Sequence, residues 1–197
     1  MKKSSNYPLL GNIKVVELAA YLPISFLGKA LKDFGAEVYL VRQLNDNEIM
    51  GALEYLHEGK INIGLNLKDE LHASIFRKMI SKVDVLIDGF RPGVLERLNL
   101  DPKELIKINP KLIVIRVTGY GQEGLMHSQP GHEINYLGLS GLLDNFKKGK
   151  KFVNPILIMG DLFCGSLMPI YHISQALLYR KLTGNGCIID SAITTNL

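Results

Sequence analysis

Short, nearly unbroken apolar runs separated by amphipathic stretches constrain this chain more than any other feature. "KLIVIRVTGY" (111–120), "NIKVVELAA" (12–20), "EVYLV" (37–41), "VDVLIDGF" (83–90) and "GCIIDSAI" (186–193) are rich in Val, Ile and Leu and bounded by turn residues. Runs without polar alternation suit strands covered on both faces, and such strands belong to parallel sheets. "INIGLNL" (61–67) adds a strand with alternation. Helical patterns lie between them. "FLGKALKDFGA" (26–36) places Phe26, Leu27, Ala30, Leu31 and Phe34 at helical spacing and closes on Gly35, and "KDELHASIFRKMISK" (68–82) is amphipathic. In "DPKELIKI" (101–108) Asp101 is the cap, Pro102 takes the first helical position and Glu104 follows three residues after the cap. A short helix is expected in "RPGVLERL", with further helices at 133–143 and 161–182 and a basic loop, "KKGKK" (147–151), between those two. The alternation predicts an α/β fold, a Rossmann-like, doubly wound, mainly parallel sheet with helices on both faces, as one domain over residues 1–197.

Composition narrows the partners. The net charge is only +4, and no arginine-rich stripe with interleaved aromatics stands out, so nucleic acid is not an expected partner. A mild cationic excess suits a small phosphorylated ligand. Cys164 and Cys187 are too few for a metal cluster or a disulfide framework and are expected as free thiols. "MKKSSNYPLLG" is basic with no apolar core behind it, unlike a signal peptide. The most apolar segment, "PILIMGDLFCGSLMPIYHISQALLY" (155–179), carries Asp161, Pro169 and His172, which fits buried core and not a membrane span. The expected compartment is the cytoplasm. His57, His72, His127 and His172 show no metal-ligand spacing and read as structural.

Several places can carry chemistry, and each has a plain reading beside a functional one. "GYGQEG" (119–124) matches G-x-G-x-x-G after a strand, but Pro130 and Gly131 prevent a long helix from opening there, so a dinucleotide fingerprint is not expected. In "PGHEINYLGLSGLL" (130–143), His132 and Glu133 either cap a helix start, with Glu133 complementing the dipole, or present a neutral imidazole base, the cation being disfavoured there. Asp161 either caps a long helix that Pro169 kinks, or is a partly buried carboxyl whose raised pKa lets it hold a proton. Arg91 is either a surface arginine or a phosphate or adenine contact at a strand-to-helix turn. Cys164 has no adjacent base or cation and is not an expected nucleophile.

Taken in order, the segments resemble family III CoA transferases, the group that includes the α-methylacyl-CoA racemases. The similarity is carried by "ELAAYLPISFLGKALKDFGAEVYLV", "EGKINIGLNLK", "DVLIDGFRPGVLERLNLDPKELIKINPKLIVIRVTGYGQEG", "PGHEINYLGLSGLL", "GDLFCG" and "RKLTGNGCIIDSAI". The histidine of "PGHEINYLGLSG" is similar to the racemase branch. The resemblance implies a Rossmann-like large domain, an interlocked homodimer, coenzyme A thioester substrates and no further cofactor. It implies that His132 and Asp161 are two acid/base groups that invert the α-carbon of a 2-methylacyl-CoA, one taking a proton from one face while the other delivers one to the opposite face. It implies coenzyme A contacts at Lys60, at Arg91, Pro92 and Gly93, and at Gly119, Tyr120 and Gly121. The Gly119–Gly124 loop is also where donors to the enolate are expected. Two rivals stay open: a CoA transferase with Asp161 as nucleophile, and an inactive truncated acyl-CoA-binding remnant.

The chain also departs from the family pattern. Ala20 stands where relatives carry arginine, Ile24 and Ser25 where Gly-Pro is usual, and Gln43 and Leu44 where an acidic-Arg-Pro stretch is common. Glu58 replaces a cation in the loop that keeps Lys60. An anion beside phosphates weakens binding by about 1–3 kcal/mol where the contact is desolvated. Relatives continue past "IIDSAI" into a small domain, return to the large one, and bring from that portion a glutamate that partners the histidine. The resemblance therefore makes this chain a fragment, half of a split gene or a remnant, pairing as a homodimer or with a separately encoded C-terminal half.

Overall fold

The computed structural model describes residues 8–19, 21–43, 54–149, 151–153 and 157–197. Strands β1 (Lys14–Leu18), β2 (Glu37–Arg42), β3 (Ile61–Gly64), β4 (Val85–Asp88), β5 (Ile113–Thr118) and β8 (Cys187–Ala192) form one sheet in the order β3-β2-β1-β4-β5-β8. Every pairing in it is parallel. The order reverses between β1 and β4, the switch point of a doubly wound fold. Between β5 and β8, β6 (Lys147–Lys148) and β7 (Lys151–Phe152) make a separate antiparallel hairpin from the expected basic loop.

Alternate residues of the same strands feed two cores. Val16, Leu18, Leu86 and Val114 face α2 (Glu70–Ile80), α3 (Val94–Arg97) and α4 (Pro102–Ile108), packing with Phe76, Ile80, Leu95 and Leu105. Val15, Val85, Ile87, Ile113 and Ile115 face α1 (Leu22–Asp33) and α6 (Met168–Thr183), packing with Ile24, Leu27, Leu31, Ile173 and Ala176. This is why the strands read as unbroken apolar runs: both sides of the sheet are covered. At about 25 cal/mol per Å² of apolar surface removed from water, these two layers are the main stabilising term.

Helix ends follow local chemistry where the sequence carried a signal. Asp69 Oδ1 accepts from His72 N at 3.1 Å and Asp101 Oδ1 from Lys103 N at 2.8 Å, and Gly35, at φ +102°, lets the chain leave α1 in a left-handed conformation. Several boundaries differ from expectation, among them the helix expected over 133–143, which ends at Leu139. α1 begins at Leu22, four residues early, because Pro23 fits the first helical turn, where a missing N–H costs nothing. β3 ends at Gly64, as it pairs only with β2. The helix expected over 161–182 is two pieces: a widened π-type segment, Met159–Leu167, then α6, with Pro169 in the first turn of the latter. The expectation that this region is buried core holds on one side only. Cys164, Ile173 and Ala176 are buried, whereas Phe163, Leu167, Tyr171, Leu178 and Leu182 are exposed. Ala20 and Leu44 lie outside the described residues.

One ionic contact is enclosed within the second core. Glu17, in the middle of β1, faces α1, and Lys60 reaches it from the start of β3, Nζ to Oε2 at 2.6 Å, with both side chains 0% exposed. Lys60 also donates to the Ser25 carbonyl at 2.9 Å. Gly28 makes the space, since a Cβ there would stand 1.7 Å from Glu17 Oε2. Beside the pair, Ser25 Oγ meets His57 Nε2 at 3.2 Å. Lys60, expected at coenzyme A, is thus committed to an internal carboxylate and is not presented to solvent. Desolvation pushes the Glu17 carboxyl up to about 7, against the pull of Lys60, and moves the Lys60 ammonium down.

Removing one partner of a buried pair leaves an uncompensated charge and costs about 3–5 kcal/mol. Lys60→Met should therefore destabilise the chain by about that much at pH 8. The loss should be smaller at pH 5, where a lone Glu17, with its pKa raised further, takes a proton. Urea unfolding at the two pH values measures both, and an equal loss at each would contradict the buried-charge account.

Candidate active site

Beyond the carboxyl end of β5, the Gly119–Gly124 loop leads through Pro130 and Gly131 into α5 (Glu133–Leu139), with His132 at its N-cap in extended conformation. Asn135 Oδ1 accepts from His132 N at 3.0 Å, closing the first turn. Glu133 does not serve its own helix. Its Oε1 accepts from Gly160 N at 2.9 Å and its Oε2 from Asp161 N at 2.7 Å, so it caps the π-type segment from another element. The expectation that Asp161 caps its own helix is corrected accordingly. Ile158 occupies that cap without a side-chain bond, and Asp161 lies in the first turn.

This bridge ties the turn that carries His132 to the backbone of Asp161. His132 is exposed and Asp161 half-buried. Burial raises the Asp161 carboxyl above its ordinary value, the Glu133 carboxylate raises it further, and His132 partly lowers it. A carboxyl so placed can hold a proton in a pH range where an ordinary aspartate cannot. Gly160 permits the contact: a Cβ there would stand 2.8 Å from Glu133 Oε2.

Tyr136 forms the floor. Its hydroxyl donates to the Gly131 carbonyl at 2.6 Å, and its ring meets that of Tyr120 edge to face, with centroids 5.4 Å apart. Gly119 and Gly131 admit it, since a Cβ at either would stand 2.5–2.6 Å from the ring. Gly119 and Tyr120 are therefore part of the packing under His132. Two of the loop's amides are already used. Gly121 N donates to Thr118 Oγ1 at 3.1 Å and Gln122 N to Asp190 Oδ2 at 2.8 Å, so neither amide is free to meet a developing oxyanion.

A second feature sits where the strand order reverses. A cavity of about 610 Å³ opens at the carboxyl ends of β1 to β4, lined by Ala19, by Val41, Arg42 and Gln43, by Leu65 to Lys68, by Phe90, and by Val94, Arg97 and Leu98 of α3 and the residue after it. Among the described residues, three cations and no acid line it. Arg42 is oriented by Asn62 Oδ1 at 2.6 Å. Arg91, Pro92 and Gly93 form the turn into α3 and are not among its lining; Gly93, at φ +78°, is the helix N-cap and Arg91 is exposed. Sequence reasoning missed Arg42, Lys68 and Arg97. The available signal was that Arg42 and Lys68 follow apolar strands directly, so a parallel sheet delivers them to the ligand-binding edge. α1 is tied to the π-type segment: the Pro23 carbonyl accepts from Ser166 Oγ at 2.8 Å.

Among the described residues no group of three or more His, Cys, Asp or Glu is placed to hold a metal ion, and no helix is long and apolar enough to cross a membrane.

The family model for CoA-transferase family III matches residues 10–197. The α-methylacyl-CoA racemase of Mus musculus is 39% identical over 94% of this chain and 48% of its own length. The succinyl-CoA–L-malate CoA-transferase beta subunit of Chloroflexus aurantiacus is 33% identical over 96% of this chain and 50% of its own. The crystal structure of a CAIB/BAIF family protein from Brucella suis superposes with a TM-score of 0.87 at 30% identity, over 98% of this chain and 55% of that one. The chain spans about half the length of the curated relatives it matches.

Because Glu133 acts on Asp161 both as backbone acceptor and as like charge, Glu133→Gln should lower the Asp161 pKa, whereas His132→Ala should raise it. Carboxyl-carbon NMR titration reads both. A Glu133→Gln variant whose Asp161 titrates unchanged or higher would contradict the electrostatic assignment.

Proposed function

The chain belongs to CoA-transferase family III, and from that membership we propose that it acts on 2-methylacyl-CoA thioesters as a racemase. The observation that carries this reading is the meeting of His132 and Asp161 at one locus, with the Asp161 carboxyl raised. The hydrogen beside the thioester carbonyl is weakly acidic. Inverting that centre requires a group without a proton on one face and a group with one on the other. An exposed imidazole at the start of α5 suits the first role. A half-buried carboxyl whose pKa burial raises suits the second, and the roles exchange in the reverse direction. The reaction so written needs no metal or organic cofactor.

The cavity supports the coenzyme A part. Arg42, Lys68 and Arg97 on its rim suit phosphates, and the apolar faces of Val41, Leu65, Phe90 and Leu98 suit a flat ring. In this reading Arg42, Lys68 and Arg97 take the part that the resemblance gave to Lys60 and Arg91. The exposed apolar residues of the π-type segment and α6 support a partner chain, either a second copy or a polypeptide equivalent to the rest of the relatives' length.

Incubation of either enantiomer of a 2-methylacyl-CoA in heavy water should place deuterium at the 2-position. His132→Ala and Asp161→Ala should each slow this by about 10²–10⁴-fold. The experiment is run on the chain alone and co-expressed with a C-terminal half from a relative. A covalent adduct on Asp161 by intact mass, formed with a second acid present, would replace the reading with CoA transfer. No exchange in either preparation, with coenzyme A still bound, would leave a binding protein.

A further inference from the structure

Behind the cavity wall lies a charged cluster that touches neither the cavity nor the His132–Asp161 locus. Arg116 of β5 is 7% exposed and stands beside Asp88 in the β4–β5 ladder. Its Nε donates to Asp88 Oδ2 at 2.9 Å, while Nη1 and Nη2 donate to the two carboxylate oxygens of Glu96 at 2.7 and 3.3 Å. The other Asp88 oxygen accepts from Phe90 N at 3.0 Å. One guanidinium therefore ties the end of β4, the backbone of the following loop and the middle of α3 into a single unit.

α3 depends on such a tie. It has four residues and enters from a left-handed glycine, so it has too few internal hydrogen bonds to fix its own orientation. Leu95, fully buried, anchors one side and Glu96 the next, and these two together set the rotation that turns Val94 and Arg97 to the cavity. We propose that Arg116 is a positioning residue for ligand binding: through Asp88 and Glu96 it fixes Phe90 and α3, and so places Arg97 at the cavity rim without itself meeting the ligand. The proposal rests on the reading of the cavity as a coenzyme A site. An arginine is required because only its planar fork spans two carboxylates in fixed geometry.

The sign of the effect separates positioning from simple electrostatics. Coenzyme A is a polyanion. If Glu96 acted only through its charge, removing it would tighten binding; if it holds α3 in place, removing it weakens binding. The test measures coenzyme A affinity by calorimetry and amide hydrogen exchange of the 89–99 segment without ligand, on the whole chain, with urea unfolding confirming that each variant is folded. Glu96→Ala should weaken coenzyme A binding by about tenfold, the scale of one charge-assisted hydrogen bond, and should speed exchange in 89–99 while the strands stay protected. Glu96→Gln, which keeps an acceptor for Arg116, should recover most of both. Tighter or unchanged binding with Glu96→Ala overturns the proposal. If the unaltered chain binds no coenzyme A, the reading of the cavity fails. The clamp is then judged by exchange alone: faster exchange in 89–99 with Glu96→Ala upholds it, and unchanged exchange overturns it.

Discussion

Because all six strands of the main sheet run the same way, every strand delivers the residue after its last hydrogen bond to one edge of the molecule. That constraint places the features discussed above. β1 leads into Ala19, β2 ends at Arg42, β3 ends just before Leu65, β4 leads to Phe90 and β5 leads into Gly119; the first four of these residues line the cavity, and Gly119 packs against Tyr136 of α5. Helices cover both faces, so the carboxyl edge is where polar groups can meet a ligand without leaving the core unsatisfied. The cavity falls at the β1–β4 reversal because the crossovers from those two strands depart to opposite faces of the sheet, leaving a gap between them.

Carboxylates are used three times near this edge, each time to join elements distant in sequence. Glu17 and Lys60 lock α1 over β1. Asp88, Arg116 and Glu96 lock α3 to β4 and β5. Glu133 locks the π-type segment to α5 through two backbone amides. In the first two a carboxyl is desolvated enough to resist ionisation, Glu17 at about 7 and Asp88 at about 6, despite a cation in contact. Such contacts add little net stability over an apolar replacement, but losing one partner is costly. They hold elements in register around a space that side chains do not fill.

How much of this was legible in the sequence follows from how local each signal is. The runs "KLIVIRVTGY" and "VDVLIDGF" announced strands because burial on both faces leaves no polar position to confuse the pattern, and Asp101 with Pro102 announced a helix start because capping is decided within four residues. Glu17 was a visible oddity, a carboxylate inside an apolar run, yet nothing local could name Lys60, 43 residues away, as its partner. Lys60 instead entered as a ligand contact through the resemblance, which aligns the residue without showing its internal partner. Asp161 read as an N-cap because sequence shows the preference of aspartate for caps but not the arrival of Glu133 from 28 residues upstream. His132 and Asp161 were paired only through resemblance; their spacing alone carries no such information.

The substitution of one cap for another has a chemical consequence. An aspartate that caps its own helix spends its carboxylate on backbone amides, and those hydrogen bonds hold it ionised. Here the amides at Gly160 and Asp161 are satisfied by Glu133, which leaves the Asp161 carboxyl without that duty and places a second negative charge beside it. Both effects move Asp161 toward the protonated form. A glutamate is long enough to reach across from α5 where an aspartate at 133 would fall short by a methylene. Its neighbour His132 is carried to the same place by the same turn. The pair that looked like a helix start in "PGHEINYLGLSGLL" thus divides its labour: Glu133 organises the neighbouring segment, and His132 begins α5 without taking part in that bridge.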